Sequence, residues 1–281
     1  MTYLPPIRQP IRSIGGREFD FARQIVIMGI VNRTPDSFYD QGATYALERA
    51  VEAGRRAVAE GAGWVDVGGV PFSPDVPKVP AAEELDRVVP VAAALAEDGV
   101  VVSVDTVRSS VAQAAIDVGA GVINDTSGLH DPELADVVAG STASLVITHS
   151  LAPPGEHLRR PRYDDVVSEI RAFLESRIEL ALAHGVPEER IVIDPGHDLN
   201  KNTRHSLEIT RRLSELADLG LPLLAAVSNK DFIGEAVGLE RGERLEASLA
   251  AATACALQGA RILRMHQVRE SVRAARMVET I

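Results

Sequence analysis

Eight short apolar runs, each followed by a longer amphipathic one, constrain this chain more than any other feature. The runs are QIVIMGIV (24–31), WVDVGG (64–69), VVVSVD (100–105), GVINDT (121–126), SLVITH (144–149), IVIDPG (191–196), LPLLAAVS (221–228) and RILRMH (261–266). They are brief and rich in aliphatic and β-branched residues, which suits strands buried on both faces of a parallel sheet. Stretches with helical spacing lie between them, at 46–62, 81–99, 109–119, 131–140, 163–185, 203–220 and 244–259, with a last one from Val268. The first sets Leu47, Ala50, Val51, Gly54, Ala57 and Val58 along one stripe. Strict β/α alternation implies parallel strands joined by crossover helices. Eight repeats over this length fit one (β/α)₈ TIM-barrel domain across 1–281, with 1–23 as an N-terminal extension. An open doubly wound sheet is the alternative.

Composition narrows the setting. Of 281 residues, 46% are apolar and 25% charged, as in ordinary globular proteins rather than disordered ones. The formal charge of −11 argues against non-specific nucleic-acid binding. There is no apolar run long enough to span a membrane, and MTYLPPIRQPIRSIGG lacks the apolar core of a secretory signal. Cys255 is the only cysteine, so no intrachain disulfide or multi-thiolate site forms, and its small neighbours suit a packed helix. A cytoplasmic location is expected.

In such a barrel, chemistry sits at the carboxyl ends of the strands. Here those ends read Asn32-Arg33-Thr34-Pro35-Asp36-Ser37, Asp66-Val67-Gly68-Gly69, Asp105-Thr106, Asn124-Asp125, His149, Asp194-Pro195-Gly196, Ser228-Asn229-Lys230-Asp231 and Arg264-Met265-His266. All eight carry polar or ionisable groups. Each alone could be structural: an Asp capping a loop, a surface Lys, a satisfied core His. Together they favour a site. Asp105, Asn124 and Asp194 could converge on a flat, nitrogen-rich heterocycle, because a carboxylate makes two parallel hydrogen bonds to a guanidine-like edge. Lys230, Arg264 and His266 could meet an anion, and the Asn32 amide could ligate Mg²⁺ beside a phosphate. P-loop, GxGxxG, HExxH and GxSxG patterns are absent from the sequence. His197 and His205 match no metal spacing and read as loop or surface residues.

MGIVNRTPDSFYDQGAT resembles the N-terminal signature of dihydropteroate synthases. VDVGG, SVDT, INDTSG, the His of strand five, IDPG…K, the S-x-K turn and R-x-H-x-V follow in that family's order, over about 25–280. The resemblance implies a barrel that joins a pterin pyrophosphate to p-aminobenzoate in folate synthesis, as a cytoplasmic homodimer. It implies that Asp105, Asn124, Asp194 and Lys230 hold the pterin, and that Asn32, Arg264 and His266 hold the pyrophosphate. It further implies Lys230, Arg264 and His266 as the catalytic set, Asn32 as the Mg²⁺ ligand, and Asp40 as the acid of the first loop.

Departures cluster at the second substrate. The family's G-G-E-S-[ST]-R-P reads Gly68-Gly69-Val70-Pro71-Phe72-Ser73-Pro74, with Ser73 in the Arg position. S-R-K followed by Ser or Arg becomes Ser228-Asn229-Lys230-Asp231, D-P-G-x-G-F becomes Asp194-Pro195-Gly196-His197-Asp198-Leu199, and Thr148 replaces a usual Met. A lost charge-assisted hydrogen bond costs roughly 1.5–3 kcal/mol. An Asp beside a benzoate can add several kcal/mol, so within the altered second-substrate site of Val70, Pro71, Phe72, Ser73, Asn229 and Asp231, losing the Arg at Ser73 and gaining Asp231 could weaken p-aminobenzoate on the order of 10³-fold or more. The chain is similar to the diverged second synthase paralogue of actinobacteria, which shares NRTPDSFYD, DVGGV, HD-x-x-KNT and SNKD. Four readings follow: a pterin-binding barrel with weak or absent synthase activity, a competent synthase, a non-catalytic partner subunit, and a folate methyltransferase. The intact Arg264 and His266 argue against the last.

Overall fold

The computed structural model describes residues 5–33, 43–71 and 78–281. A two-stranded antiparallel hairpin, β1 (Ile11–Ile14) and β2 (Arg17–Asp20), precedes eight parallel strands that close into a barrel. These are β3 (Val26–Asn32), β4 (Trp64–Gly68), β5 (Val102–Asp105), β6 (Val122–Asp125), β7 (Ser144–Thr148), β8 (Ile191–Asp194), β9 (Leu223–Ala225) and β10 (Ala260–Met265), with β10 returning to pair with β3. All eight runs expected as strands are strands, in sequential order around the barrel.

The helices between them are α1 (Ala43–Ala59), α2 (Ala81–Glu97), α3 (Ser109–Asp117), α4 (Glu133–Ala139), α5 (Val166–Ala183), α6 (Thr203–Arg211), α7 (Leu213–Ala217), α8 (Asp231–Val237), α9 (Leu245–Leu257) and α10 (Val268–Thr280). Two depart from expectation. The single helix expected over 203–220 breaks at Arg212 (φ −113°, ψ 22°), whose guanidinium reaches Asp165 at 3.0 Å and Glu215 at 2.7 Å. The short α8 begins directly after Lys230, a stretch the helical spacing did not mark.

Alternation along the strands divides the apolar residues into two cores. One lies between barrel and helices. The other fills the barrel with Val26, Met28, Trp64, Val101, Val122, Val146, Val192, Leu224, Ala226 and Ile262, and also includes Ile14, Phe19 and Phe21 of the hairpin region. The N-terminal extension therefore belongs to the core. Phe19 and Phe21 meet the edge of Trp64 at ring separations of 5.8 and 6.4 Å, a favoured aromatic geometry. Gly15 and Gly16 turn the hairpin at φ 55° and 74°, and a Cβ on Gly121 would stand 2.6 Å from the Gly15 Cα. Arg12 is 3% exposed and fastens the hairpin to the barrel through the carbonyls of Glu189 and Ile191 at 2.9 and 2.7 Å.

Candidate active site at the carboxyl end of the barrel

Residues two apart on a strand share a face. The inward-facing apolar set thus fixes what stands above it at the other end of the barrel. Counting up in twos places Asn32, Asp66, Asp105, Asn124, Thr148, Asp194, Ser228, Arg264 and His266 on the inner face, and register sets Asp105 beside Asn124 and Thr148 beside Asp194. The pattern that builds the core also delivers the polar groups to one mouth.

Asp66 is the hub of the β4–β6 side. Fully buried, it accepts hydrogen bonds from Ser103 Oγ (2.6 Å), Asn124 Nδ2 (3.2 Å) and Arg264 Nε (2.6 Å), while Arg264 Nη2 reaches Asp105 at 3.4 Å. Burial would lower the Arg264 pKa, but Asp66 and Asp105 outweigh it and hold the guanidinium above its ordinary value. Asp105 is pushed up to about 7 by burial and then by Asp66, against the pull of Arg264; its side chain keeps 27% exposure, so solvent moderates that rise. Asn124 Oδ1 is buried and has no partner among the described residues, and the same holds for Thr148 Oγ1. A buried acceptor without a partner is costly, so these two atoms mark a place where a ligand would be welcome.

On the β7–β8 side, burial pushes Asp194 up to about 6, opposed by the Gly196 N–H (2.7 Å) and then by Lys230, Lys201 and Arg264. Gly196 takes φ 68°, and a Cβ there would collide with the His149 carbonyl. Lys201 donates to His149 Nδ1 (2.9 Å), His149 O (3.3 Å) and Leu199 O (3.0 Å), which ties the two loops together. Burial brings its ammonium down to about 7, and burial with Lys201 takes His149 to about 2, so that imidazole is neutral. His197, expected on a loop or the surface, lies in the loop after β8 but is fully buried there. Its Nε2 lies 3.2 Å from Thr210 Oγ1 and its ring stacks on Phe232.

The β9 and β10 ends complete the ring. His266 Nδ1 lies 3.0 Å from Ser228 Oγ; partial burial, then Arg264 and Lys230, lower its pKa, so this rim imidazole is neutral near pH 7. Lys230 caps α8, and burial lowers its pKa while Asp198, Asp194 and Asp105 work the other way. Asp231, expected to confront a substrate carboxylate, is ion-paired with Arg244 (2.9 Å) and Arg241 (3.4 Å). Arg244 also binds the carbonyls of Asn229 and Lys230, so the charge of Asp231 is largely met within its own loop.

The structure thus gathers Asp105, Asn124, Asp194, Lys230, Arg264 and His266 at one mouth, with Asn32 exposed at its rim. Asp66, Asp198 and Lys201 join them; the sequence marks Asp66 only as one of eight polar strand ends, with no role of its own, and the last two only through the resemblance to IDPG…K and HD-x-x-KNT. Val70 is exposed and Pro71 half-buried, whereas Asp40, Phe72 and Ser73 lie outside the described residues. No group of three or more His, Cys, Asp or Glu among the described residues is arranged to hold a metal ion. A lone amide oxygen such as that of Asn32 suits only the mode in which Mg²⁺ is carried mainly by substrate phosphates and water.

Barrel and mouth together define an α/β-barrel protein with its site at the carboxyl ends of the strands. A family model described as pterin binding enzyme matches residues 28–266, and the chain belongs to that family, within its dihydropteroate synthase branch. It is 43% identical to the inactive dihydropteroate synthase 2 of Mycobacterium leprae (strain TN) over 277 residues, 95% of this chain and 93% of that one. It is 37% identical to the dihydropteroate synthase of Escherichia coli (strain K12) over 254 residues, 90% of each. Among solved structures, Xanthomonas albilineans dihydropteroate synthase with 4-aminobenzoic acid superposes with a TM-score of 0.89 at 39% identity, covering 96% of this chain and 97% of that chain. No helix among the described residues is long and apolar enough to cross a membrane.

Proposed function

We propose that this chain binds a 6-hydroxymethyl-dihydropterin pyrophosphate at the barrel mouth and condenses it with p-aminobenzoate weakly or not at all. The observation that carries the pterin half is the pair of buried, unpartnered acceptors, Asn124 Oδ1 and Thr148 Oγ1, beside Asp194 and Asp105. Burial pushes Asp194 up to about 6 and raises Asp105 too, so these carboxyls take up a proton more readily than ordinary ones and can donate as well as accept along a heterocycle edge. Lys230 would complete the ring contacts. Arg264 is committed to Asp66 and Asp105, which leaves Nη1 without a partner among the described residues to meet an anion, and His266 offers the Nε2 of a neutral imidazole.

The reaction open to such a site is displacement at the pterin methylene. An amine nitrogen attacks that carbon, the carbon–oxygen bond to diphosphate breaks, and the amine gives up a proton. No protein nucleophile is required. Arg264 and His266 would steady the charge growing on the leaving oxygens, and Mg²⁺ bound at Asn32 and the phosphates would supply further neutralisation. The altered second loop, Val70 to Ser73, and Asn229 in place of an arginine support a poor p-aminobenzoate site. The relative named inactive dihydropteroate synthase 2 is in keeping with that.

The pairing of Asp231 with Arg244 and Arg241 favours a second reading, a competent synthase, because it removes part of the repulsion expected against a benzoate. Two measurements separate them. Calorimetry with the pterin pyrophosphate and Mg²⁺ should show saturable binding, and a condensation assay with p-aminobenzoate should show little turnover. Absence of binding sinks the pterin reading; turnover comparable with that of the Escherichia coli enzyme establishes the second. A homodimer in the cytoplasm is part of the same proposal, and light scattering checks the dimer.

A further inference from the structure

Asp198 stands in the loop between β8 and α6 in the left-handed region, at φ 64°. An L-residue with a side chain pays for that conformation, and glycine does not. The family pattern has glycine at this place. A strained residue kept at the edge of a site needs a compensating role, and the contacts of this carboxylate show one. Oδ2 accepts from Phe232 N in the first turn of α8 (3.2 Å), and Oδ1 accepts from Ser206 Oγ on α6 (3.1 Å). Ser206 Oγ in turn accepts from the Asp198 N–H at 3.2 Å. One carboxylate therefore ties the β8 loop to the turn that begins with Lys230, two residues before Phe232. Among the acids near Lys230, Asp198 does the most to favour its charged form, ahead of Asp194 and Asp105, and Lys230 is the cation that does most for Asp198.

Asp198 also changes the charge balance of the mouth. Asp198 adds one more acid to a mouth where Asp66, Asp105 and Asp194 already stand near Lys201, Lys230 and Arg264. His149 is neutral and adds nothing, and Asp231 is met by its own arginines.

We propose that Asp198 is a specificity-determining residue that occupies the Lys230 side of the mouth with a resident carboxylate and so disfavours acceptors that carry a carboxylate of their own. The preferred acceptor is a neutral nucleophilic amine whose remaining substituents are uncharged or cationic. This inference rests on the pterin reading above and names the chemistry of its second substrate.

The test compares the full-length wild type with D198N and D198G. Asparagine keeps one acceptor oxygen for Phe232 N and tolerates the left-handed backbone, so D198N removes the charge and turns the second acceptor into a donor beside Ser206 Oγ; D198G relieves the backbone as well. With pterin pyrophosphate and Mg²⁺ present, calorimetry gives the Kd of p-aminobenzoate and of its uncharged analogue p-aminobenzamide. Wild type should prefer the amide. D198N and D198G should both improve the benzoate relative to the amide by about tenfold. A ratio unchanged within about twofold in D198N overturns the inference, as does a change seen only in D198G or a failure of both amines to bind every variant. Titration of the pterin pyrophosphate alone keeps the two claims distinguishable. If it binds and the ratio does not move, only the role of Asp198 falls; if it binds no variant, the pterin reading falls and takes this inference with it.

Discussion

Replacing Arg264 with methionine tests the geometry from which every other statement about the mouth follows. The guanidinium lies 2.6 Å from Asp66 and 3.4 Å from Asp105, with 17% of its side chain exposed against none for Asp66. Removing one partner of a buried ion pair costs about 3–5 kcal/mol, because the remaining charge has no counter-charge. Asp66 keeps its bonds from Ser103 and Asn124, so the lower end applies, about 3 kcal/mol. For a chain of this length that lowers Tm by about 6 °C. Adding D66N removes the stranded charge, so D66N/R264M should recover at least half of the loss. Urea unfolding followed by the emission of Trp64, the sole tryptophan and fully buried in the barrel floor, reports both values. A loss below about 1 kcal/mol in R264M, or single effects that add in the double variant to within about 0.5 kcal/mol, would refute the coupled-pair account.

Other changes probe separate parts. The folded-state pKa of Asp194 is raised from 3.8 to about 6, so its carboxyl contributes stability below about pH 4 that is lost as the pH climbs through 6. D194N should accordingly melt above wild type at pH 8 by the equivalent of about 3 kcal/mol and match it near pH 4; equal midpoints at both pH values would count against the buried carboxylate. N124A removes the unpartnered acceptor and should weaken pterin pyrophosphate on the order of 10²-fold by calorimetry; unaltered affinity places the ring elsewhere. F19A strips an aromatic side chain, 4% exposed, from the floor of the barrel. It should cost about 3–5 kcal/mol and red-shift Trp64 emission, whereas a wild-type urea midpoint would show the hairpin to be dispensable.

The sequence makes the barrel legible because strands buried on both faces leave an unbroken apolar signature, and their polar last residues mark the mouth. What escaped was mostly long-range. Asp66 looks like any strand aspartate until Arg264, 198 residues later, comes to lie beside it. Arg212 interrupts a helix that its local spacing would continue, held by Asp165 from 47 residues back. His197 follows a Pro-Gly pair that reads as a surface turn, yet the left-handed turns at Asp198 and Asn200 fold it into the interior. Asp231 reads as a bare charge, and only the fold supplies Arg244 and Arg241. The hairpin left a signal that could have been read, a Gly15-Gly16 pair between short alternating segments, which is a known two-residue turn signature. The seven-residue α8 carries Gly234 in its middle, so little helical period shows there.

A crystal structure of the chain with 6-hydroxymethyl-dihydropterin pyrophosphate bears most directly on the central claim. The bicyclic ring should lie inside the barrel mouth, hydrogen-bonded to Asn124 Oδ1 and Asp194 and flanked by Asp105 and Lys230, with its phosphates toward Asn32, Arg264 and His266. A ring bound outside that circle, or one leaving Asn124 Oδ1 without a partner, would contradict it.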